Sequence, residues 1–268
     1  EGEPAAAVFT SERSEPYFSR LNRLEIEAKT AGRVEVADLV AARAAARRLY
    51  ARSVLPYSAR EKAFLSGALE NVCRILGNEF GGIVHRRWKL LKTEPYIEGS
   101  LPHTREDAIV FSAAQLELML NRPLPYTEML LVHEILHVVQ RENRRVFTDF
   151  YRKQWGYRRV ESVANVPKAL RVQQVINPDG VDYHWLVADP AAGPGNWLWP
   201  RIVLADNGDE AVQMPRDFRF VALRVRESAD GFRVDDGQGD LSAVTPMAQA
   251  PALRQRFPAI ELPYHPDE

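Results

Sequence analysis

Two histidines and a glutamate occur at a spacing that suits a metal ion. Residues 131–139 read LVHEILHVV and contain the pattern His-Glu-x-x-His within a predicted helix. Residues four apart on an α-helix lie about 40° apart around the axis and about 6 Å along it, so His133 and His137 point to one side. Zinc accepts such imidazole nitrogens at about 2.0–2.1 Å. Glu134 is then placed to accept a proton from a metal-bound water.

The surroundings of this motif are apolar on nearly every side of the helix, so we expect the helix to be buried. The flanking apolar residues are Met129, Leu130, Leu131, Val132, Ile135, Leu136, Val138 and Val139. Three ionisable groups on a buried helix cost several kcal/mol unless something compensates their charge. The pattern therefore favours a zinc site over polar residues at the edge of a core.

With His133, Glu134 and His137 in this pattern, the chain resembles the zincin metallopeptidases, which carry the same motif on an active-site helix. The resemblance implies an α+β, zincin-like fold, a Zn²⁺ cofactor and hydrolysis of peptide bonds. It also implies that His133 and His137 are zinc ligands and that Glu134 is the general base. Zincins bind extended substrate along the edge of a strand before the helix, and residues 106–112 are the candidate strand.

The third zinc ligand divides the zincin subfamilies. Gln140 and Asn143 stand where metzincins have glycine and histidine, so that branch is excluded. The gluzincin type uses a downstream glutamate, often followed four residues later by a small acidic or amide residue. Glu161 and Asn165 fit this pattern.

A second glutamate lies at the end of the given sequence. Asn177-Pro178-Asp179 and the segment 264–268, YHPDE, resemble a group of little-studied bacterial metallopeptidase-like proteins. In that group a His-Pro-acid-Glu segment begins a late helix whose glutamate is similar to a third ligand. We favour Glu268 over Glu161 and expect that the sequence stops where this helix begins. An aspartate as third ligand is a further alternative.

Other polar residues are candidates to complete the site. A Tyr or His near the zinc of a zincin commonly donates a hydrogen bond to the oxyanion, and His184 is the first candidate here, with Tyr183 as an alternative. Ordinary packing within a strand would equally account for both. Asp179 or Asp182 could instead orient a ligand histidine through its second ring nitrogen.

Local patterns predict the elements that must position these groups. Two helices are expected between residues 17 and 55, and a third is expected from a capping box at Ser58 and Glu61 to Leu76, stopped by Gly77. Strands are predicted at 81–93 and 107–112, and a short helix at 113–120. The motif helix is predicted from a Thr127 cap to about residue 141, and another helix at 145–155 ends at Gly156. Strands follow at 183–187, 197–204 and 218–226.

We expect a flexible leader over residues 1–16 and one zincin-like domain over 17–268, helical from 17 to 175 and β-rich from 176 to 260. The charged residues, 35 Lys and Arg against 36 Asp and Glu, give no sign of a nucleic-acid partner. No apolar run approaches the length of a membrane span. Cys73 is the single cysteine of the sequence, so an intrachain disulfide framework is excluded.

The predicted function is zinc-dependent hydrolysis of peptide bonds in a peptide or protein substrate. The alternatives are a catalytically impaired zincin-fold binding protein and a protein with a structural zinc site. An extracytoplasmic location is weakly favoured, because the given sequence begins at Glu1 with a Pro- and Ala-containing leader and similar proteins are often exported. The oligomeric state is left open.

Overall fold

A computed structural model describes residues 4–180, 184–205, 211–235 and 244–256. The fold is mixed α+β with two sheets, which confirms the predicted class at that level. The described chain forms two compact units rather than the expected single domain. The first unit holds the described residues of Glu1–Glu142, Asn177–Val181 and Gln213–Pro215, and the second holds those of Asn143–Ile176, Asp182–Val212 and Arg216–Glu268.

The helices of the first unit follow the sequence pattern closely in its middle part. Ser58 and Glu61 form the predicted capping box, and the helix that they begin ends at Leu76, before Gly77 at φ 64°. Ser112 caps the predicted short helix. The helices are α1 (Ala5–Phe9), α2 (Arg23–Lys29), α3 (Leu39–Arg52), α4 (Ala59–Leu76), α5 (Gly81–Val84), α6 (Ala113–Leu120) and α7 (Leu124–Glu142).

The sheet of the first unit has four strands in the order β1-β2-β4-β3. They are β1 (Val54–Leu55), β2 (Lys89–Thr93), β3 (His103–Arg105) and β4 (Ala108–Ser112). β2 pairs with β4 in parallel, and the other pairs are antiparallel. The predicted strand over 81–93 is wrong in its first half, because 81–84 form α5, from which Ile83 packs against the core.

The strand that was expected to bind substrate lies inside this sheet. A tight turn at Glu106, whose φ is 54°, folds β3 back onto β4, and β2 covers the other side of β4. Every residue of β4 is buried. The prediction that 106–112 offers a free edge is therefore wrong, since β2 pairs along the whole of β4 and β3 pairs with Ala108, Ile109 and Val110 on its other side.

One hydrophobic core joins α4, α6 and α7 to β4. The spacing of apolar residues on α4 and α7 turns one face of each helix toward the sheet. The buried members of this core are Leu65, Ala68, Val72, Ile109, Phe111, Leu116, Met119, Leu130, Leu131, Ile135 and Val138. This packing fixes α7, the helix that carries the histidine motif, against the centre of the sheet.

The described part of the expected flexible leader contains a short helix with buried residues, which corrects that expectation. Val8 and Phe9 of α1 are buried, and the ring of Phe9 lies 5.2 Å from that of Tyr50. Arg105 donates a hydrogen bond of 2.7 Å to the carbonyl oxygen of Ser11. The apolar Val8-Phe9 pair gives this segment enough buried surface to offset its loss of conformational freedom.

A buried ion pair joins α2 to the turn before β3. Lys29 Nζ lies 2.9 Å from Glu98 Oε2, and both side chains are at most 1% exposed. The hydroxyls of Tyr17 and Tyr50 donate to the same carboxylate. Burial opposes ionisation of Glu98, but Lys29, His103 and the two hydroxyls together hold its pKa below the usual value.

The turn that carries Glu98 needs a glycine. Glu98, Gly99 and Ser100 have φ values of 50°, 60° and 66°. A Cβ atom on Gly99 would lie 2.6 Å from Met214, so a larger residue there would clash as well as adopt a strained conformation.

The second unit is built on an antiparallel sheet. Its strands are β5 (Arg158–Val160), β6 (His184–Ala188), β7 (Asn196–Leu204), β8 (Phe218–Ser228), β9 (Gly231–Val234) and β10 (Val244–Pro246), and its helices are α8 (Arg144–Trp155), α9 (Lys168–Gln173) and α10 (Pro251–Arg256). The order is β10-β8-β7-β6-β5, and β9 pairs with β8. β6, β7 and β8 confirm the strands predicted from sequence, and Gly156 ends α8 in the left-handed conformation.

Among the described residues, no helix is long and apolar enough to cross a membrane.

We predict that Lys29→Met destabilises the protein by about 3–5 kcal/mol, because it leaves the Glu98 carboxylate buried without its ammonium partner. Urea unfolding would measure this, with Lys62→Met, at an exposed position of α4, as the matched control. Adding Glu98→Gln to Lys29→Met is expected to restore part of the loss. A loss below about 1 kcal/mol in the single variant would contradict the account.

Candidate metal centre

The motif lies on α7, which begins earlier than the sequence predicts. The helix starts at Leu124 instead of at a Thr127 cap, and Thr127 is fully buried within it. Pro125 falls in the first turn, where a missing N–H costs no hydrogen bond. α7 therefore contains two full turns before His133.

α7 is buried on one face only, which corrects the expectation that it is buried all round. Met129 and Leu136 are 58% and 41% exposed, whereas Leu131 and Ile135 lie in the core. The motif sits at the boundary between these faces, with Glu134 and His137 buried and His133 half-buried.

The two histidines face each other through the nitrogen atoms that would bind a metal. Their Nε2 atoms are 2.9 Å apart, and Nδ1 of His137 lies 3.2 Å from Oε1 of Gln140. An Nδ1–H that donates to Gln140 puts the lone pair of His137 on Nε2, the atom that faces His133 and would bind a cation. Two zinc bonds of about 2.0–2.1 Å to nitrogens at this separation would subtend about 90°. The two Nε2 atoms would therefore need only a small increase in their separation to bind one zinc ion together.

Two carboxylates complete a cluster with His137. Each of Glu134, His137 and Asp179 offers a ligand atom, and these atoms all lie within 4.8 Å of one another. Glu134 is 1%, His137 4% and Asp179 3% exposed. Two carboxylates at this separation repel by about 3 kcal/mol at an effective dielectric constant of 20, so a bound cation would stabilise the cluster.

Asp179 is held in place by backbone and side-chain hydrogen bonds. The N–H of Thr104, on β3, donates to Oδ1 of Asp179. The N–H of Asp179 itself donates to Oδ1 of Asn177, at 3.0 Å. This Asn-Pro-Asp turn therefore places the Asp179 carboxylate beside the motif helix, within the first compact unit.

Arg141 links α7 to both β3 and the Asn-Pro-Asp turn. It lies one helical turn after His137, and its guanidinium donates to the carbonyl oxygens of Glu106 and Asp179. It also donates to Oγ1 of Thr104, at 2.7 Å. Burial lowers the pKa of Arg141, while the nearby Asp179 opposes that shift. Arg141 thus places a positive charge near the Asp179 carboxylate.

The structure brings some of the predicted site residues together and leaves others as predictions. His133 lies against His137, and Glu134 and His137 form a buried cluster with Asp179. Glu268, the favoured third ligand, and Tyr183 and Asp182 lie outside the described residues.

The remaining candidates belong to the second unit. His184 is the first residue of β6, and its backbone pairs with Val160. Its proposed role toward an oxyanion stays a prediction. Glu161 is exposed and also belongs to the second unit.

The sequence analysis missed Arg141 altogether. It gave Asp179 a role in orienting a ligand histidine and kept an aspartate as third ligand only as a further alternative. The spacing of Arg141 from His137 is the same as that of His137 from His133, which places all three on neighbouring parts of one helix face. That spacing was a usable signal. The approach of Asp179 was not readable, because it depends on contacts between residues far apart in the chain.

Comparison with known proteins gave no match: no family model, no curated protein and no solved structure is similar to this chain. The functional argument therefore depends on the residues of the site itself.

We predict that Arg141→Met destabilises the metal-free protein by about 2–4 kcal/mol, because the oxygens of Thr104, Glu106 and Asp179 lose their donor and the Asp179 carboxylate loses a nearby positive charge. Urea unfolding in the presence of a chelator would measure this. Arg122→Met, at an exposed position just before α7, is the control and is expected to change stability by less than about 0.5 kcal/mol. Equal stability of the two variants would contradict the role given to Arg141.

Proposed function

We propose that this protein is a zinc-dependent hydrolase that cleaves peptide bonds, with a zincin-like site. The observation that carries the proposal is the pair of Nε2 atoms of His133 and His137, 2.9 Å apart, next to the buried carboxylate of Glu134. The choice of a peptide bond comes from the resemblance of the motif to zincins.

The donor chemistry of the site fits zinc. Imidazole nitrogens together with carboxylate oxygens are a common zinc ligand set, whereas calcium and magnesium favour oxygen ligands alone. The half-buried position of His133, between the core and the exposed face of α7, leaves one side of the pair close to solvent. A substrate could approach from that side.

The residues of α7 divide the work of hydrolysis among them. His133 and His137 would hold a zinc ion, which would supply a Lewis acid for the substrate carbonyl and for water. Glu134 accepts the proton of the attacking water on its carboxylate and passes it to the leaving amine. Gln140 holds the ring of His137 in the tautomer that presents Nε2. We keep His184, with Tyr183 as the alternative, as the proposed hydrogen-bond donor to the oxyanion.

A structural zinc site is the second candidate, and one observation favours it. Glu134, His137 and Asp179 are all less than 5% exposed, and closed, buried ligand sets are typical of structural zinc. A binding protein that keeps an impaired zincin site is the other alternative. Both alternatives predict zinc binding without hydrolysis, so an activity measurement separates them from the proposal.

We predict that the wild-type protein with one zinc per chain cleaves members of a peptide library and that Glu134→Gln lowers the rate by about 10²–10⁴-fold while it retains zinc. Mass spectrometry of the peptides and elemental analysis of the protein would measure both quantities. Glu142→Gln, at an exposed position of the same helix, is the control and is expected to keep full activity.

Three results would count against the proposal. Cleavage by Glu134→Gln at the wild-type rate would show that Glu134 is not the general base. A zinc-loaded wild type that cleaves no peptide, and loses stability when the metal is removed, would favour the structural site. A wild type that takes up no zinc would contradict both.

A further inference from the structure

We propose that Asp179 is the third protein ligand of the metal, so that the set is His133, His137 and Asp179, and that Arg141 is its positioning residue. This inference rests on the proposed function and names a ligand other than Glu268 for the same site. It assigns Glu134 to proton transfer and not to metal binding.

The position of Asp179 in the fold is the first reason. The turn at 177–180 belongs to the unit that contains α7, although the described chain on either side of the turn belongs to the other unit. In this turn, a carboxylate oxygen of Asp179 lies within 4.8 Å of ligand atoms of both His137 and Glu134. Of the described residues, these three are the group of acidic and histidine side chains close enough to hold an ion.

The hydrogen bonds of Asp179 are the second reason. The N–H of Thr104 donates to Oδ1 of Asp179 and fixes the direction of the carboxylate. The guanidinium of Arg141 donates to the backbone carbonyl oxygen of Asp179. Metal-binding carboxylates are commonly held by such hydrogen bonds, which reduce the freedom lost when the ion binds. A side chain that served only to form the turn would not need a buried carboxylate within 4.8 Å of a ligand nitrogen of His137.

The placement of the charges is the third reason. The Asp179 carboxylate is 3% exposed and stands beside a second buried carboxylate, that of Glu134. The guanidinium of Arg141 donates to the carbonyl oxygen of Asp179, to Thr104 and to Glu106. A cation between the imidazoles and the carboxylates would compensate this charge directly.

Arg141 acts on the metal only through Asp179. It joins α7, β3 and the Asn-Pro-Asp turn, and these are the elements that carry the two imidazoles, the Thr104 amide and the third ligand. A lysine at this position would keep the positive charge but lose the planar guanidinium, which donates to several oxygens at once. Arg141→Lys should therefore weaken metal binding without removing a ligand.

The first test is zinc affinity, measured by competition with a fluorescent chelator. Asp179→Asn is expected to weaken zinc binding by more than the about 10- to 100-fold typical of an outer-shell partner. Arg141→Lys is expected to fall within that range. Asp149→Asn, on exposed α8, is the matched control and should bind zinc as the wild type does. Glu268→Gln and Glu161→Gln test the rival ligands and should also bind normally.

Cobalt substitution separates a ligand from a positioning residue. If Asp179 binds the ion, Asp179→Asn changes the visible absorption bands of bound Co²⁺, because a coordinating atom is exchanged. Arg141→Lys should leave the bands in place and change only the amount of cobalt bound. Unchanged bands in Asp179→Asn would overturn the proposal.

A measurement on the wild type covers the case in which Asp179→Asn does not fold. The Thr104 amide donates to Asp179 Oδ1, so zinc binding at that carboxylate should slow its hydrogen exchange. The amide of Lys62, an exposed residue of α4, serves as the reference. Zinc binding with no change at Thr104 would overturn the proposal.

The outcomes also separate this inference from the proposed function. A wild type that binds no zinc would remove both. Normal zinc binding by Asp179→Asn together with its loss in Glu268→Gln would overturn the ligand assignment and leave the hydrolase proposal standing.

Discussion

Two carboxylates and an imidazole buried within 4.8 Å of one another are the arrangement around which the first unit is organised. An apolar core around α7 removes water from Glu134 and His137, and that loss of hydration must be balanced by hydrogen bonds and opposite charge. Arg141 supplies part of the balance, and we propose that a metal ion supplies the rest.

The same requirement accounts for features of the fold that look unrelated in sequence. The Glu106 turn folds β3 back on β4, so that the Thr104 amide reaches Asp179. The Asn-Pro-Asp turn leaves its neighbours in the second unit and lies in the first. Arg141 fastens both to the helix of the histidines. A second buried pair, Lys29 with Glu98, shows that this unit stabilises interior charges elsewhere by close pairing.

The sequence correctly predicted the features that depend only on residues close together in the chain. The capping box at Ser58 and Glu61, the stop at Gly77 and the left-handed Gly156 each depend on residues within one turn, and each was correct. The positions of His133, Glu134 and His137 follow from the helix period alone.

Contacts between distant residues explain where the sequence failed. A strand over 106–112 was expected to be an edge, but β3 covers it, and nothing within that segment encodes the pairing. Residues 81–84 are apolar enough for a strand, yet they form a helix because Ile83 packs on the core. The exposure of Met129 and Leu136 shows that apolar content overstates burial. Asp179 approaches His137 only after the chain has passed through the second unit.

The central claim is that one zinc ion binds between the imidazoles of α7 and the Asp179 carboxylate. X-ray absorption at the zinc edge of the purified, zinc-loaded protein tests it most directly. The account predicts one zinc per chain with two imidazole nitrogens and carboxylate oxygen at about 2.0–2.2 Å. A spectrum without imidazole scattering, or a protein that retains no zinc after dialysis, would contradict it.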